Sequence, residues 1–280
     1  MAKSIPARIA FYLLLILILI YTIFPFYWAF VSSIKPSGEL FATPPTYWPR
    51  EPTLEHYAQV LRTGNFITAL RNSVIVAVSV TAISLAVGAM GAYALGRFRF
   101  QGRNTVLYAV LAMTMFPQIA VLGGLFEIIT RLRLYNTLVA LILTYLIFTL
   151  PFTVWVLTNF FRAMPQDLEE AAYVDGASPW QTFYKVLLPL SVPGLVTTGL
   201  LAFIAAWNDF LFALSFTQTP DRRTVTVALW AFQPRTTGGF EIPWDQIMAA
   251  TVIVTVPLIL LALIFQRRIL AGLTAGAVKG

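Results

Sequence analysis

Long apolar runs without a charged residue limit this chain more than any other feature. The first run, from Ile9 to Val31, holds 23 residues and no charge. At about 1.5 Å per residue, a helix of that length crosses the ~30 Å hydrocarbon layer of a bilayer. A cleaved signal peptide is the alternative interpretation, but its apolar region of about 7–15 residues is much shorter. We therefore expect a retained first membrane span.

Five further apolar segments predict additional spans. They cover approximately residues 72–95, 106–126, 138–161, 193–216 and 246–265. Pro117 interrupts the third span, and Pro151 should kink the fourth. In the second span, Gly88, Ala92 and Gly96 recur at the four-residue spacing that lets transmembrane helices pack closely. The predicted fold is an all-α membrane protein with six transmembrane helices.

The composition excludes several other classes of protein. Only 11% of the residues are charged, against about 25% in soluble domains. Cysteine is absent, which excludes a disulfide framework, a thiol nucleophile and a thiolate metal site. His56 is the single histidine, so most zinc and general-base sites are also excluded. The net charge of +7 comes from basic residues scattered in short flanks, a distribution that favours anionic lipid over nucleic acid as a partner.

The short flanking segments also predict the orientation. Residues 1–8, 97–103 and 266–280 carry basic residues and no acids, and short segments of that kind face the cytoplasm. Six spans then put both termini inside. On this topology residues 162–192 form a cytoplasmic loop between spans four and five, residues 217–245 form an external loop, and residues 266–280 form a cytoplasmic tail. All belong to a single transmembrane domain, residues 1–280.

The most polar interval between two spans, residues 162–194, carries start and stop signals for two short helices. Pro165 fits the first helical turn, and the acids that follow it lie at the positive end of the helix dipole. Gly176 is a helix stop. Ser178 and Gln181 predict a capping box that opens a second helix, which must bend at Pro189. The expected cytoplasmic structure is a helix, a sharp glycine turn and a second helix.

This interval resembles the signature loop of the membrane-spanning subunits of binding-protein-dependent ABC importers. The family pattern stands here as Glu170-Ala171-Ala172, Asp175-Gly176-Ala177, Leu188-Pro189 and Pro193-Gly194. In that family the loop is a coupling helix that docks into a cleft on the ATP-hydrolysing subunit. The resemblance implies an ATPase-coupling role for Glu169, Glu170, Ala171, Ala172, Asp175, Gly176, Ala177, Phe183 and Pro189. An ordinary juxtamembrane helical hairpin is the alternative.

Other stretches resemble the carbohydrate-uptake branch of these importers, of the maltose and trehalose type. They are Ser-Ile-Lys-Pro at 33–36, Pro-Pro-Thr-Tyr-Trp-Pro at 44–49, Asn72-Ser73, and Ala-Gly-Leu-Thr-Ala-Gly-Ala-Val-Lys-Gly at 271–280. In such importers the last external loop reaches the binding protein, which implies contacts by Arg235, Gly238 and Gly239. The tail can enter the ATPase dimer, which implies contacts by Gly272 and Gly276. A solvated connector and an ordinary flexible terminus are the alternatives.

Two polar sites within the spans are candidates for the substrate pathway or a gate. Trp207-Asn208-Asp209 lies late in the fifth span, and a charge at mid-bilayer costs ~2.5–3.5 kcal/mol on insertion scales. Asp209 lies about 24 Å along a helix from the start of that span, near the outer interface, so a capping or interhelical hydrogen-bond role is the alternative. Gln118 follows Pro117, whose freed backbone groups favour a polar cavity.

The leading hypothesis is a permease subunit, not an enzyme, that imports an oligosaccharide or a disaccharide such as maltose or trehalose. The sequence has no Gly-x-x-x-x-Gly-Lys-Ser/Thr stretch, so we expect no cofactor on this chain and ATP and Mg²⁺ on another. The resemblance implies a second, non-identical permease, two ATPase subunits and an extracytoplasmic sugar-binding protein as partners. It also implies a bacterial or archaeal cytoplasmic membrane.

Three alternatives stay open. An importer permease for glycerol-phosphate, a polyamine or a peptide is the nearest, because the coupling loop is shared across solutes. A secondary transporter would need ion-coupling residues or an internal repeat, and the spans contain almost no charge. An intramembrane enzyme would need a Ser/His, paired-Asp or metal constellation, and none sits at matching depth.

Overall fold

The structure is a computed structural model that describes residues 5–232 and 242–275, and every regular element in these ranges is helical. The α-helices are α1 (Ile5–Ser33), α2 (Glu55–Arg62), α3 (Gly64–Arg97), α4 (Arg103–Thr114), α5 (Gln118–Arg131), α6 (Leu138–Ala163), α7 (Asp167–Val174), α8 (Pro179–Thr182), α9 (Leu188–Leu190), α10 (Val192–Asn208), α11 (Leu211–Phe216), α12 (Val225–Trp230) and α13 (Trp244–Ala275). A 3-10 turn covers Ser37–Glu39 and a π-helical turn covers Phe183–Leu187.

The described ranges hold four to six helical segments that are long and apolar enough to cross a membrane. The four unbroken candidates are Arg8–Ser33, Gly64–Arg97, Leu138–Ala163 and Trp244–Arg267. Two bent helix pairs give one further candidate each. α4 and α5 meet at 97°, and residues 179–190 meet α10 at 76°. The six predicted spans are the upper limit of this count.

The third predicted span breaks at Pro117, as expected. The fifth also breaks, between Asn208 and Leu211, where no break was expected. Pro117 is the N-cap of α5 and has an extended backbone, and its ring and missing N–H disfavour a helix that would run on through it from α4. The predicted continuous helix over 193–216 is wrong, because α10 ends at Asn208 and α11 begins only at Leu211. The Asp209 carboxylate accepts a hydrogen bond from the Ala213 N–H (3.1 Å), and such local bonding competes with a continuous helix.

Two details of the short helices between α6 and α10 also differ from the prediction. α7 begins at Asp167, so Pro165 precedes the helix instead of forming its first turn. The second helix does not bend at Pro189, because the 76° change of direction comes after Leu190. A π-helical turn ends at Leu187, two residues before the proline. Turns of this kind rearrange the i→i−4 hydrogen bonds that a proline disrupts.

The helices form two compact units. The first comprises residues 5–66, 229–232 and 242–256 among those described. In α1 the most apolar 18-residue window contains no buried residue. The buried groups of this unit gather around α2, where His56 is 3% exposed and its Nε2 lies 2.8 Å from the Lys35 carbonyl. Asp245 lies 3.5 Å from His56 Nδ1 and accepts a hydrogen bond from Ser37 Oγ (2.7 Å). These polar contacts join the segment between α1 and α2 to the start of α13.

The second unit comprises residues 67–228 and 257–275 of the described chain, and α6 is its central helix, in contact with α4 and α10. The small residues of α3 let α6 approach closely, as predicted. A Cβ at Gly88 would lie 2.7 Å from Thr153 Cγ2, and one at Gly96 would lie 3.2 Å from Phe161 Cβ. Ser84 Oγ and Thr149 Oγ1 hydrogen-bond across the same interface (2.8 Å). Tight α3–α6 packing therefore supports the hairpin described next.

Candidate coupling surface and membrane cleft

A Schellman motif closes the turn between α7 and α8. Gly176 has φ +77°, a conformation that glycine adopts without penalty. Its N–H donates to the Tyr173 carbonyl (3.0 Å), and the Ala177 N–H donates to the Ala172 carbonyl (2.9 Å). Both bonds satisfy carbonyls that the end of α7 leaves free. The predicted glycine stop is confirmed.

The second arm of the hairpin opens with the predicted capping box. Ser178 Oγ accepts from the Gln181 N–H (3.3 Å), and the Gln181 side chain accepts from the Ser178 N–H (2.8 Å). Pro179 occupies the first helical turn, where its missing N–H leaves no acceptor unpaired. Local sequence therefore determines the geometry of both sides of the turn.

The tip of the hairpin is exposed and partly apolar. Val174 is 88% exposed, Trp180 57% and Tyr173 44%. A polar loop between two spans would not need large apolar side chains at its tip, and exposed apolar groups surrounded by polar ones are typical of a protein contact. The family pattern does not name these three residues, and sequence reasoning missed them. Their position at the tip of an otherwise acidic hairpin was the available signal.

The residues singled out in this loop separate into two groups. Glu170, Ala171, Asp175, Gly176 and Pro189 are exposed, whereas Glu169, Ala172 and Phe183 are buried and Ala177 is intermediate. The exposed group can meet another chain, and the buried group holds the hairpin to the rest of its unit.

Phe183 belongs to an aromatic core at the base of the hairpin. Its ring stacks on Tyr93 of α3 at 4.9 Å between centroids and lies 6.3 Å from Phe161 of α6. Leu157 and Leu187 are fully buried in the same cluster. The hairpin therefore rests on the ends of α3 and α6, and apolar burial of this kind makes it a firm extension of both.

Glu169 forms a buried ion pair with α3. Its Oε2 lies 2.9 Å from Arg97 Nε, and the two side chains are only 11% and 5% exposed. Burial raises the pKa of the Glu169 carboxyl, and the Arg97 guanidinium opposes that rise. A pair of this kind is not expected to add much net stability, but losing one partner leaves an unpaired charge in a desolvated place.

A cleft of about 520 Å³ opens at the break between α4 and α5. Its described lining comprises Thr114, Phe116, Pro117, Gln118, Phe148, Thr149, Phe152, Leu201, Ala202 and Ala205. Three phenylalanine rings and three hydrogen-bonding side chains face one space, between the broken span, α6 and α10. An arrangement of apolar walls with a few polar groups suits a small organic solute.

The Trp207-Asn208-Asp209 group lies elsewhere and is held by its own contacts. Trp207 is 1% exposed and stacks on Phe203 at 5.5 Å. Asp209 accepts a hydrogen bond from Tyr145 Oη of α6 (2.6 Å) as well as from the Ala213 N–H. Gln118 lines the cleft, whereas these three residues are not part of its described lining. The contacts of Asp209 match the capping and interhelical role considered for it.

The Asn72-Ser73 pair ties the segment between α11 and α12 to α3. The Asn72 amide donates to the carbonyls of Asp221 (2.8 Å) and Arg223 (3.0 Å). Ser73 Oγ accepts from the Val225 N–H (2.8 Å). Both side chains are 2% exposed, so the pair fixes the start of that loop from within.

Several predicted contact residues lie beyond what the structure describes. Arg235, Gly238, Gly239 and Gly276 are outside the described residues, and Gly272 lies in the last part of α13, where only the helical backbone is described. Among the described residues no group of three or more His, Cys, Asp or Glu side chains is arranged to hold a metal ion.

Comparison with known proteins gives close relatives over the full chain. The trehalose/maltose transport system permease protein MalG of Thermococcus litoralis is 43% identical over 282 residues, covering 100% of both chains. The trehalose transport system permease protein SugB of Mycobacterium tuberculosis is 43% identical over 267 residues, covering 93% of each. The sulfoquinovosyl glycerol transport system permease protein SmoH of Agrobacterium fabrum is 40% identical, covering 94% of this chain and 91% of that one.

Solved structures share the fold. A chain of a bacterial ABC transporter involved in the import of the acidic polysaccharide alginate superposes with a TM-score of 0.83 at 22% identity, covering 95% of this chain and 99% of the other. A bacterial alginate ABC transporter in complex with an alginate pentasaccharide-bound periplasmic protein gives 0.68 at 16% identity, covering 94% and 95%. Residues 84–274 match the family described as binding-protein-dependent transport system inner membrane component. The chain thus belongs to that family of ABC-importer permeases.

Proposed function

We propose that this chain is one of two permease subunits in an ATP-driven importer of an oligosaccharide or a disaccharide such as maltose or trehalose. Support for the sugar comes from relatives at 43% identity that are named for trehalose and maltose transport. Other relatives are named for sulfoquinovosyl glycerol and diacetylchitobiose transport. An importer permease for a different solute is therefore the second candidate.

The observation that carries the proposal is the α7–α8 hairpin, with an exposed tip and a base buried against α3 and α6. In the proposed assembly the tip, with Glu170, Ala171, Asp175 and Gly176, docks on an ATPase subunit. The buried base transmits movement of that subunit to the spans. ATP and Mg²⁺ bind to the ATPase pair, whose closure shifts the hairpin as a rigid body and changes which side of the membrane the pathway faces.

The proposed topology has six spans, with each bent helix pair counted as one and both termini in the cytoplasm. Charge in the short flanks supports this orientation. Residues 217–245 then face outward, where Arg235, Gly238 and Gly239 contact a sugar-binding protein. Residues 266–280 face the cytoplasm, where Gly272 and Gly276 approach the ATPase pair. The membrane is the cytoplasmic membrane of a bacterium or archaeon.

The cleft beside Gln118 is this subunit's proposed share of the translocation pathway. Phenylalanine rings offer flat apolar faces to the C–H groups of a sugar ring, and the Gln118 amide with the Thr114 hydroxyl can hydrogen-bond sugar hydroxyls. Asp209 is proposed as a gate element that holds α10 to α6 through Tyr145. A moderate affinity in this cleft suits transport, because the solute must leave as well as enter.

Affinity purification of the tagged chain from its native membrane tests the assembly. Mass spectrometry should identify an ATPase, a second permease and a sugar-binding protein in the eluate. The variant Glu170→Arg, which reverses an exposed charge on the docking surface, should insert normally and lose the ATPase. Glu51→Arg is the matched control, since it reverses an exposed charge in the first external loop and should keep every partner. A solitary wild-type chain, or equal retention of the ATPase by both variants, would contradict the proposal.

A further inference from the structure

Two neighbouring acids of α7 have opposite surroundings. Glu169 is buried in an ion pair with Arg97, whereas Glu170 is exposed. The family pattern begins at Glu170, and nothing in the spacing of the sequence distinguishes its neighbour. The two carboxylates therefore cannot serve the same purpose, and the role of Glu169 has to be sought inside the subunit.

Arg97 is the last residue of α3 and makes two contacts with the hairpin segment. Its Nε faces Glu169 Oε2 at 2.9 Å, and its Nη2 donates to the Pro165 carbonyl at 3.1 Å. One turn earlier on α3, the Tyr93 hydroxyl donates to the Pro179 carbonyl (3.3 Å). The end of α3 thus touches the chain before α7, α7 itself and the start of α8. None of these segments is adjacent to α3 in sequence.

Other arginines nearby hold α3 to different neighbours. Arg103 Nη2, from the start of α4, donates to the Gly96 carbonyl (3.0 Å). Arg162 Nη2, from α6, donates to the Leu95 carbonyl at 3.4 Å. Both satisfy free carbonyls at the C-terminus of α3 and favour its negative dipole end. Of these three arginines, Arg97 is the one whose described contacts reach the hairpin.

We propose that the Arg97–Glu169 ion pair is the positioning contact through which the coupling hairpin moves α3. This proposal rests on the proposed function, because it names the contact through which a movement of the ATPase, passed to the hairpin, would reach α3. The chain itself links the hairpin only to α6 and α10. Beside the Tyr93–Phe183 stack, a buried ion pair ties α3 to the hairpin, because separating the two groups would leave two unpaired charges where water is scarce. Glu169 and Arg97 are positioning residues, and contact with the ATPase falls to Glu170.

Neutral substitutions separate transmission from stability. Arg97→Gln and Glu169→Gln each leave one buried charge unpaired, so both should lower the unfolding temperature of the purified complex. The double variant removes both charges and should recover most of that loss. It still lacks the ion pair between the hairpin and α3. Sugar imported per ATP hydrolysed in proteoliposomes should therefore stay at least about fivefold below wild type, the lower end of ordinary coupling strengths.

Two controls complete the experiment. Arg99→Gln removes an exposed positive charge two residues further on and should behave as wild type. Glu170→Gln should weaken retention of the ATPase, whereas Glu169→Gln and the double variant should retain it. If a single variant cannot be purified, the double variant carries the test alone.

Three results would overturn the proposal. One is a wild-type transport ratio in the double variant, which would leave the pair with a structural role only. Another is a wild-type ratio in both single variants. The third is loss of the ATPase from Glu169→Gln to the same degree as from Glu170→Gln. A wild-type chain that purifies without an ATPase would instead refute the proposed function, so the two failures are distinguishable.

Discussion

Replacement of Gly88 by alanine tests the helix packing on which the hairpin rests. The added Cβ would lie 2.7 Å from Thr153 Cγ2 and 3.2 Å from Thr153 Cβ. An ordinary carbon–carbon contact is about 3.5–4.0 Å, so the first overlap is close to 1 Å. Thr153 is fully buried and β-branched, which limits its freedom to turn away. α3 and α6 must therefore separate or distort.

The expected net loss is about 1–2 kcal/mol. Overpacking of a close-packed interface costs ~1–3 kcal/mol, and the higher helix propensity of alanine returns up to ~1 kcal/mol. Gly91→Ala is the matched control on the same helix, because its Cβ would meet Val154 Cγ2 at an ordinary 3.5 Å. That variant should be neutral or slightly stabilised. Thr153→Ser removes the clashing methyl and should rescue Gly88→Ala.

Thermal unfolding in detergent, followed through the fluorescence of the seven tryptophans, provides the assay. Gly88→Ala should unfold several degrees below both wild type and Gly91→Ala, and Gly88→Ala/Thr153→Ser should unfold close to Thr153→Ser alone. Equal midpoints for Gly88→Ala and Gly91→Ala would refute the inferred α3–α6 contact. So would failure of Thr153→Ser to rescue the clash.

Three further outcomes follow from the geometry of the sites. Gly176→Asn should keep the hairpin and the ATPase, whereas Gly176→Val should lose the ATPase in co-purification, since a left-handed backbone costs a non-glycine residue ~1–2 kcal/mol and a β-branched one more. Tyr145→Phe should lower the unfolding temperature by the equivalent of ~1–3 kcal/mol, because Asp209 then loses its partner in α6; an unchanged midpoint would contradict that bond. Phe152→Ala should raise the sugar concentration needed for half-maximal uptake while leaving partner retention unchanged, and loss of the partners instead would assign Phe152 to assembly.

The sequence predicted the features that local chemistry determines. Such features are the helical character of the chain, the break at Pro117, the helix stop at Gly176 and the capping box at Ser178. Each depends on residues that lie within one helical turn of one another. Pro165 and Pro189 show the limit of such reasoning. Pro165 was expected to start a helix and Pro189 to bend one. In the structure the helix starts two residues after Pro165, and the change of direction follows Leu190. The π-helical turn lies before Pro189 in an arm whose Phe183 and Leu187 pack on α3 and α6.

Contacts distant in sequence were beyond prediction from one sequence. Arg97 was assigned to a basic flank and Glu169 to the ATPase interface, and their pairing becomes visible only when α3 and α7 are folded together. Asp209 was a candidate for the substrate pathway or a gate, with a capping or interhelical role as the alternative, and its hydrogen bond from Tyr145, 64 residues earlier, could not be foreseen. The exposed Val174 escaped notice for another reason: an apolar side chain in a helix is ordinarily read as core, and only its 88% exposure marks it as a contact surface.

Uptake by the purified assembly tests the central claim most directly. The complex that co-purifies with this chain is reconstituted into proteoliposomes with ATP and Mg²⁺ enclosed, and the sugar-binding protein and radiolabelled maltose or trehalose are added outside. We predict accumulation of the sugar that requires both the enclosed ATP and the binding protein. Accumulation by this chain alone under an ion gradient, or uptake indifferent to ATP, would contradict the account.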